Sequence, residues 1–369
     1  MIIPMAKPVV GEEEAKAVKE VLLSGSLAQG KKVAEFEEAF AAYNGTKYAV
    51  AVSSGTAALQ LALLAHGIGP GDEVITTPFS FIATANAILF TGARPVFADI
   101  DEKSFNLEPA QIEKKITPKT KAILPVHLYG QPCEMDQIMN MAQEYKLIVI
   151  EDACQAHGAE YKGRKTGSFG TGCFSFYPTK NITCGEGGMV TTNSKEIAEK
   201  IKMLRNHGQK ERYFHVILGY NLRMTDLAAV IGLCQLKKLN QFNAQRRQNA
   251  YTLTQGLKNI KGLLTPYVFP EIEHVFHQYT IRVTKKFGTS RDVLREKLAR
   301  QKVATEVYYP LPIHQQPLYC QLAYNDHLPQ AEKAAAEVLS LPIHPALGEK
   351  EQGEIINSIV RLDRENIEA

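Results

Sequence analysis

Residues 47–65, KYAVAVSSGTAALQLALLA, carry the pattern that decides the fold. The first seven residues predict a strand, and Gly55–Ala65 predicts a helix directly after it. Short apolar runs alternate with amphipathic segments to about residue 193, and the further predicted strands are 72–77, 95–99, 122–126, 147–151, 174–177 and 188–192. Strands that alternate with helices predict an α/β fold with a mostly parallel sheet covered on both faces.

The pattern of apolar and polar residues changes past about residue 250. Tyr279–Val283 alternates like a half-buried strand, and residues 291–301 form an amphipathic helical pattern. Further predictions are a helix over 225–239, a strand over 303–308, a proline-rich loop over 310–317 and a helix over 330–339. We therefore predict a large α/β domain over 1–245 and a smaller α+β domain over 246–369.

Composition excludes several classes of protein. The 42 Lys and Arg residues against 39 Asp and Glu residues give a net charge of +3, which does not suggest a nucleic-acid or membrane-surface partner. No uncharged apolar run approaches the roughly 20 residues of a membrane span. The N-terminus turns acidic by residue 12 and lacks the order of a signal peptide, so we predict a cytoplasmic protein. The six cysteines include no CxxC pair, so we predict no metal site and reduced thiols.

Several strong catalytic motifs are absent from the sequence. It contains no GxxxxGK[ST], and no GxGxxG follows a strand, which weakens the P-loop and dinucleotide-binding hypotheses. It also lacks HExxH and the nucleophile elbow GxSxG.

Two local clusters place polar groups where predicted strands end. Residues 53–57, SSGTA, form a strand-to-helix junction whose small residues and free N–H groups suit an anion; an ordinary N-cap with a tight turn is the alternative. Residues 151–157, EDACQAH, place Asp152 at the carboxyl end of a buried strand. A carboxylate there needs a cation or hydrogen-bond donors, as a ligand or a helix N-terminus would supply.

Two further clusters supply a lysine and a pair of donors. In residues 172–181, GCFSFYPTKN, an aromatic strand ends in a proline turn that places Lys180 after it. Apolar surroundings would lower the pKa of the Lys180 amine and make it a usable Schiff-base nucleophile. Residues 219–226 offer Asn221 and Arg223 as donors to a phosphate or carboxylate, or form a capping turn in which Thr225 or Asp226 caps the next helix. Pyridoxal phosphate (PLP) needs such an anion cradle, carboxylate and lysine, together with a surface on which its ring stacks.

The chain resembles the DegT-type sugar aminotransferases, within fold type I of the PLP enzymes, over nearly its whole length. The stretches that carry the resemblance are SGSLAQGKKVAEFEEAFA, SSGTAAL, TTPFSFIATANAI, ARPVFADID, HLYGQPCEMD, EDACQAHGA, FSFYPTKNITCGEGGMV, GYNLRMTDLAAVIG, HQYTIRV and YYPLPIHQQP. The resemblance implies a large PLP-binding domain and a small C-terminal α+β domain.

The resemblance also implies roles for single residues. Lys180 would hold the cofactor as a Schiff base and later move the proton between the substrate carbon and the cofactor. Asp152 would pair with the pyridinium nitrogen, which keeps the ring an electron sink. Gln155 would hydrogen-bond the 3′-oxygen of the cofactor.

The remaining cofactor contacts implied by the resemblance lie on other segments. Gly55 and Thr56 would bind the phosphate, and Ser175 would add its hydroxyl group. Phe81 would stack on the ring. Asn221 would reach the phosphate of a neighbouring subunit, which requires a symmetric homodimer with two shared sites.

The implied reaction is a two-step transamination of a nucleotide-linked ketosugar, with pyridoxamine phosphate (PMP) between the steps. L-Glutamate, or less often L-glutamine, would give the amine, and the amino sugar would serve surface polysaccharide or natural-product glycosylation. Keto position 3 or 4 and a dTDP, UDP or GDP carrier stay open, as does a cyclitol acceptor. Position along the chain suggests Lys31, Tyr309 and His314 as sugar or nucleotide contacts, with loop packing the alternative for His314. Arg223 would neutralise an acidic group.

Three alternatives compete with this hypothesis. A PLP-dependent sugar dehydratase would carry His rather than Lys at position 180. A catalytically silent PLP-binding regulator would not need Lys180, Asp152 and Ser175 intact. A nucleotide-binding oxidoreductase would be expected to show GxGxxG.

Overall fold

The structure is a computed structural model that describes residues 2–368, with side chains described for residues 2–364. Within that range the strands are β1 Tyr48–Val52, β2 Glu73–Thr76, β3 Arg94–Phe97, β4 Thr120–Leu124, β5 Ile148–Asp152, β6 Glu160–Tyr161, β7 Arg164–Lys165, β8 Thr171–Ser175, β9 Gly188–Thr192, β10 Gln209–Glu211, β11 Phe214–His215, β12 Leu263–Leu264, β13 Ile272–Glu273, β14 Tyr279–Val283 and β15 Val338–Leu341. The α-helices are α1 Glu12–Ser24, α2 Lys31–Asn44, α3 Gly55–Ala65, α4 Ala83–Leu89, α5 Pro109–Glu113, α6 Met135–Glu144, α7 Lys195–Leu204, α8 Asp226–Leu257, α9 Arg291–Arg300, α10 Pro317–Gln321, α11 Pro329–Glu337 and α12 Glu349–Glu368.

Seven strands form one large sheet in the order β1-β9-β8-β5-β4-β2-β3. Strand β9 is antiparallel to both of its neighbours, and the other adjacent pairs are parallel. In β1, Val50 and Val52 belong to one buried cluster while Ala49 and Ala51 belong to another, so the strand is covered on both faces. The predicted α/β fold with a mostly parallel sheet is confirmed.

The longest described helix, α8, extends well beyond the predicted helix over 225–239. It begins as predicted, because the Thr225 hydroxyl accepts a hydrogen bond from the Ala228 N–H at 3.1 Å. It continues to Leu257 because Phe242 and Leu253 keep one face of the later turns buried. The predicted domain boundary near residue 245 falls inside this helix, and the division into 1–245 and 246–369 stays a prediction.

The C-terminal region contains a three-stranded antiparallel sheet in the order β12-β14-β15. Strand β14 matches the predicted strand at both ends. The helix predicted over 330–339 stops at Glu337, because Val338–Leu341 pairs with β14 as a strand.

The strand predicted over 303–308 is wrong. The backbone there makes two isolated bridges, Ile3 with Val303 and Glu306 with Ser340. After Glu306 the chain leaves the edge of the small sheet, and Tyr308 and Tyr309 turn toward the cavity described below. The proline-rich loop that follows holds a short 3₁₀ turn, Ile313–Gln315.

Within residues 2–368, we find no helix whose length and apolar character would let it cross a lipid bilayer.

A buried carboxylate ties β5 to the loop that precedes β8. Glu151 is fully buried, and its oxygens accept hydrogen bonds from the N–H groups of Gly167, Phe169 and Gly170 at 2.7–2.8 Å. The Glu151 carboxylate also lies 3.0 Å from the imidazole Nε2 of His127. These contacts fix the end of β5 relative to β8, whose residues Gly172 and Cys173 pair with Glu151 and Asp152.

We predict that Glu151→Ala lowers the free energy of unfolding by about 3–5 kcal/mol, as expected when a buried side chain that accepts several hydrogen bonds is removed. The physical reason is that three backbone donors and one imidazole lose their acceptor inside the core. Urea unfolding followed by circular dichroism measures the change. Glu144→Ala, at an exposed position of α6, is the matched control and should change the free energy by less than about 0.5 kcal/mol. Equal stabilities of the two variants would contradict the prediction.

Candidate active site

A cavity of about 670 Å³ opens at the carboxyl ends of the parallel strands, where α/β proteins usually bind ligands. Its wall combines the start of α3, the segment between β2 and α4, and the residues that follow β5 and β8. Eight of the twelve predicted site residues line it: Gly55, Thr56, Phe81, Asp152, Gln155, Ser175, Lys180 and Tyr309.

Asp152 is the last residue of β5, and its carboxylate is 5% exposed. Its Oδ2 accepts a hydrogen bond from the Thr84 hydroxyl at 2.8 Å, and its Oδ1 accepts one from the Cys154 N–H at 3.2 Å. The Thr84 hydroxyl also lies 3.0 Å from that of Ser80. Two donors hold the carboxylate at the cavity wall, and its further lone pairs can accept a hydrogen bond from a bound cationic ring nitrogen.

Lys180 reaches the cavity from a turn after β8. Its backbone N–H donates to the carbonyl of Tyr177 at 2.9 Å, which closes the turn that contains Pro178. Burial lowers the pKa of the Lys180 amine below its ordinary value, although Cys154 and Asp152 act in the opposite direction. A larger fraction of the amine is therefore neutral at a given pH, as a Schiff-base nucleophile requires.

The beginning of α3 forms an anion cradle. The Ser54 hydroxyl caps the helix by accepting a hydrogen bond from the Ala57 N–H at 3.1 Å, and the first-turn N–H groups of Gly55 and Thr56 point away from any intrahelical acceptor. A Cβ atom on Gly55 would lie 2.6 Å from the Cβ of Ser175 and 3.0 Å from the sulfur of Cys154. Position 55 must therefore be glycine for the helix start, Ser175 and an anion to meet.

Gln155 and Phe81 form two further walls. The Gln155 Oε1 accepts a hydrogen bond from the Tyr129 N–H at 2.8 Å, and its Nε2 donates to the Tyr309 hydroxyl at 3.3 Å. The Phe81 ring is 57% exposed although it lies against the cavity, and its centroid is 6.4 Å from that of Tyr309. An exposed aromatic face at a cavity offers a stacking surface for a planar ligand.

Four predicted site residues do not line the cavity. Lys31 is exposed on the first turn of α2, with its Nζ 3.9 Å from Glu35. Asn221 is exposed, and Arg223 donates to the side-chain oxygen of Asn206 at 2.6 Å.

His314 is likewise outside the cavity, and its ring is buried. The ring centroid lies 6.3 Å from that of Phe97, and the Nε2 lies 3.5 Å from a carboxylate oxygen of Glu332. This environment is the loop-packing alternative raised for His314.

Asp226 has a role that the sequence did not reveal. Its Oδ1 accepts hydrogen bonds from the N–H groups of Gly30 and Val33 at 2.8 and 3.0 Å, so it caps α2 rather than α8. This long-range cap holds the segment that presents Lys31.

Sequence reasoning missed several residues of the cavity, namely Ser80, Thr84, Tyr129, Cys154, Glu186 and His277. All six lie inside stretches that carry the family resemblance, but nothing in residue type or spacing says which side chains face a ligand. Among the described side chains, no three or more His, Cys, Asp or Glu are grouped as a metal site would require.

Comparison with known proteins gives one consistent result. A family model described as the DegT/DnrJ/EryC1/StrS aminotransferase family matches residues 8–360. The chain is 46% identical to a pleiotropic regulatory protein of Geobacillus stearothermophilus, over 95% of each chain. It is 44% identical to a GDP-perosamine synthase of Caulobacter vibrioides, over 89% of this chain and 90% of that one.

A solved structure is similar to the whole fold. It is NtdA from Bacillus subtilis with bound cofactor PMP, which is 35% identical to this chain with a TM-score of 0.89, and the match covers 96% of this chain and 83% of that one. The family model spans nearly the entire length, and the cavity has the lysine, carboxylate, anion cradle and aromatic wall expected of such an enzyme. The chain therefore belongs to the DegT/DnrJ/EryC1/StrS aminotransferase family.

Proposed function

We propose that this protein uses PLP to transfer an amino group from L-glutamate to a ketosugar carried by a nucleotide. The observation that carries the proposal is that Lys180, Asp152 and the anion cradle at the start of α3 line the same cavity. The family and the similarity to a nucleotide-sugar enzyme, GDP-perosamine synthase, support the class of substrate.

The residues of the cavity fit PLP. Gly55, Thr56 and Ser175 would hold the phosphate. The missing side chain at Gly55 lets the start of α3 approach Ser175 closely, and an added Cβ would fill the space in which these groups meet. Asp152 would accept a hydrogen bond from the ring nitrogen, and the exposed face of Phe81 would cover the ring. When bound, the cofactor supplies an electron sink for bond breaking at the substrate carbon.

Lys180 has two tasks in this proposal. Its neutral amine would hold the cofactor, and the same amine, when it is not bonded to the cofactor, would accept and return the proton of the substrate carbon. Both tasks need an unprotonated Nζ at neutral pH, which the lowered pKa of the buried amine favours. Thr84 and Cys154 keep the Asp152 carboxylate in place through hydrogen bonds during both steps.

We also propose a homodimer in which each subunit completes the site of the other. Asn221 is exposed and would reach the phosphate of the partner subunit. The preceding segment exposes three large apolar side chains, Tyr213, Phe214 and Leu218, with exposures of 80%, 60% and 83%. Such a patch suits contact with a second copy of the chain.

The proposal also includes substrate contacts by Lys31, Arg223 and Tyr309, and a cytoplasmic location.

The first test is an absorption spectrum of the purified protein with PLP, before and after L-glutamate is added without any sugar. Loss of the visible band with release of 2-oxoglutarate would support the proposal, and candidate nucleotide ketosugars can then be screened against the loaded enzyme. A band that responds to neither glutamate nor glutamine would favour a catalytically silent PLP-binding regulator; the Geobacillus relative is named as a pleiotropic regulatory protein. No band after PLP addition would overturn the assignment.

We predict that Lys180→Ala abolishes both the visible band of the protein-linked cofactor and amino transfer, because no second lysine is found among the described residues that line the cavity. Spectroscopy and an assay for 2-oxoglutarate measure these two losses. Lys119→Ala, at an exposed position, is the matched control and should behave like the wild type. Full activity of the Lys180 variant would refute the role of this lysine.

We predict that Gly55→Ala weakens PLP binding by at least about tenfold, because the new methyl group would lie 2.6 Å from the Cβ of Ser175 and force the cradle apart. Equilibrium dialysis of PLP measures the dissociation constant. Gly353→Ala, in α12 with open space around the added Cβ, is the control and should leave PLP affinity unchanged. An unchanged affinity in the Gly55 variant would show that this cradle does not bind the phosphate.

We predict that Lys180 in the cofactor-free protein reacts with acetic anhydride with a midpoint below pH 10.5, the ordinary pKa of a lysine amine. The sign follows from the lowered pKa, since the reactive neutral amine is then populated at lower pH. Peptide mass spectrometry across a pH series gives the midpoint. A midpoint at or above pH 10.5 would contradict the environment described for Lys180.

A further inference from the structure

A histidine that the preceding roles leave unused faces the same cavity as Lys180. His277 lies in the segment before β14, is 5% exposed and lines the cavity together with Lys180. Its Nδ1 is buried and has no hydrogen-bond partner among the described residues. A buried ring nitrogen without a partner is uncommon in folded proteins, so its surroundings need an explanation.

The backbone around His277 is held in place from both sides. The buried guanidinium of Arg246, on α8, donates from Nη1 to the carbonyls of Phe276 and His277 at 3.1 and 3.3 Å. Asn181, the residue after Lys180, donates from Nδ2 to the carbonyl of Val275 at 3.1 Å. One side of this support is thus attached directly to the turn that carries Lys180.

Hydrogen bonds on the other side complete the support. The Val275 N–H donates to the backbone carbonyl of Gly130 at 3.0 Å, and the Gln278 N–H donates to the backbone carbonyl of Tyr129 at 3.2 Å. The backbone of segment 275–278 therefore has little freedom, and the fold fixes the point from which the His277 side chain enters the cavity wall.

The surroundings of His277 keep its ring neutral. Within the described part of the chain, the titratable and charged side chains that act on it are Lys180, Arg246, His157 and His274, none of which is a carboxylate. Burial, reinforced by the positive charge of Arg246 and by that of Lys180 when its amine is protonated, lowers the pKa of His277 well below its ordinary value. A neutral imidazole has one nitrogen that accepts a hydrogen bond.

We propose that His277 is a positioning residue whose neutral imidazole accepts a hydrogen bond from the freed amine of Lys180. The amine of Lys180 must stay between the substrate carbon and the cofactor while it holds the transferred proton, and its long side chain has many rotamers. The acceptor on His277 keeps the amine in place without taking the proton away, because protonation of the buried imidazole is disfavoured. This inference rests on the proposed function.

The test compares two substitutions at one position. His277→Gln keeps a hydrogen-bond acceptor but loses the ring, and His277→Phe keeps an aromatic ring but loses the acceptor. His157→Phe is the matched control, because His157 is also fully buried with both ring nitrogens unpartnered, has a pKa lowered by burial to about 3, and does not line the cavity. The rate of loss of the visible band is measured against L-glutamate concentration for each variant loaded with PLP.

We expect His277→Phe to lower the maximal rate by at least about tenfold with a half-saturating glutamate concentration within about twofold of the wild type, since only placement of the amine is lost. We expect His277→Gln to retain more of the rate than His277→Phe, and the control to stay within about twofold of the wild type. If His277 only fills space, His277→Phe should retain more of the rate than His277→Gln, because phenylalanine preserves the packing better. That result would overturn the proposal.

Two readouts do not depend on turnover. The pH dependence of the visible band without glutamate should shift in His277→Phe and not in His157→Phe. A crystal structure of the wild-type protein after treatment with L-glutamate, which frees the Lys180 amine, should show its Nζ within about 3.2 Å of an imidazole nitrogen of His277. A separation that admits no hydrogen bond would overturn the proposal even if the His277 variants do not fold. A wild-type band that ignores glutamate would instead refute the proposed function.

Discussion

The buried carboxylate of Glu151 is the constraint on which the rest of the site depends. A charge inside the sheet is tolerated because three backbone N–H groups and the imidazole of His127 surround it. These contacts lock the end of β5 to the loop that leads into β8. The next residue, Asp152, and the end of β8, Ser175, thereby take fixed positions at the ends of two neighbouring strands, and Lys180 lies in the turn that follows β8.

The site is assembled from segments that are distant in the chain, and buried polar contacts join them. Thr84 bonds to Asp152, Gln155 to Tyr309, and Asn181 to Val275, so each wall is tied to its neighbour through a side chain. Apolar packing sets the distance between the layers of the fold, but these polar contacts set the orientation of the reacting groups. The segment that carries His277 belongs to the same network, because Asn181 and Arg246 both donate hydrogen bonds to its backbone.

Electrostatics divides the cavity into two kinds of group. Asp152 accepts hydrogen bonds from neutral donors, Thr84 and the Cys154 N–H, and suits a cationic ring nitrogen. Lys180 and His277 are buried, and burial disfavours the charged form of both side chains. The pKa values of Lys180 and His277 are therefore lowered at the same cavity in which Asp152 keeps lone pairs free for a cationic ring nitrogen, and such a division of environments suits proton transfer beside a protonated ring.

The sequence by itself determined the alternation of strands and helices, the approximate places of the seven strands of the large sheet, and the two local clusters that contain Asp152 and Lys180, because apolar periodicity and local motifs are properties of short segments. The strand predicted over 174–177 lies three residues earlier, as Thr171–Ser175. The sequence did not determine the length of α8, the conformation of residues 303–308 or the burial of His314, since each depends on which other segments pack against it. Tertiary structure alone decided that Thr84 supports Asp152, that Asp226 caps α2, and that His277 lines the same cavity as Lys180. Partners far apart in sequence leave no local pattern from which they could be read.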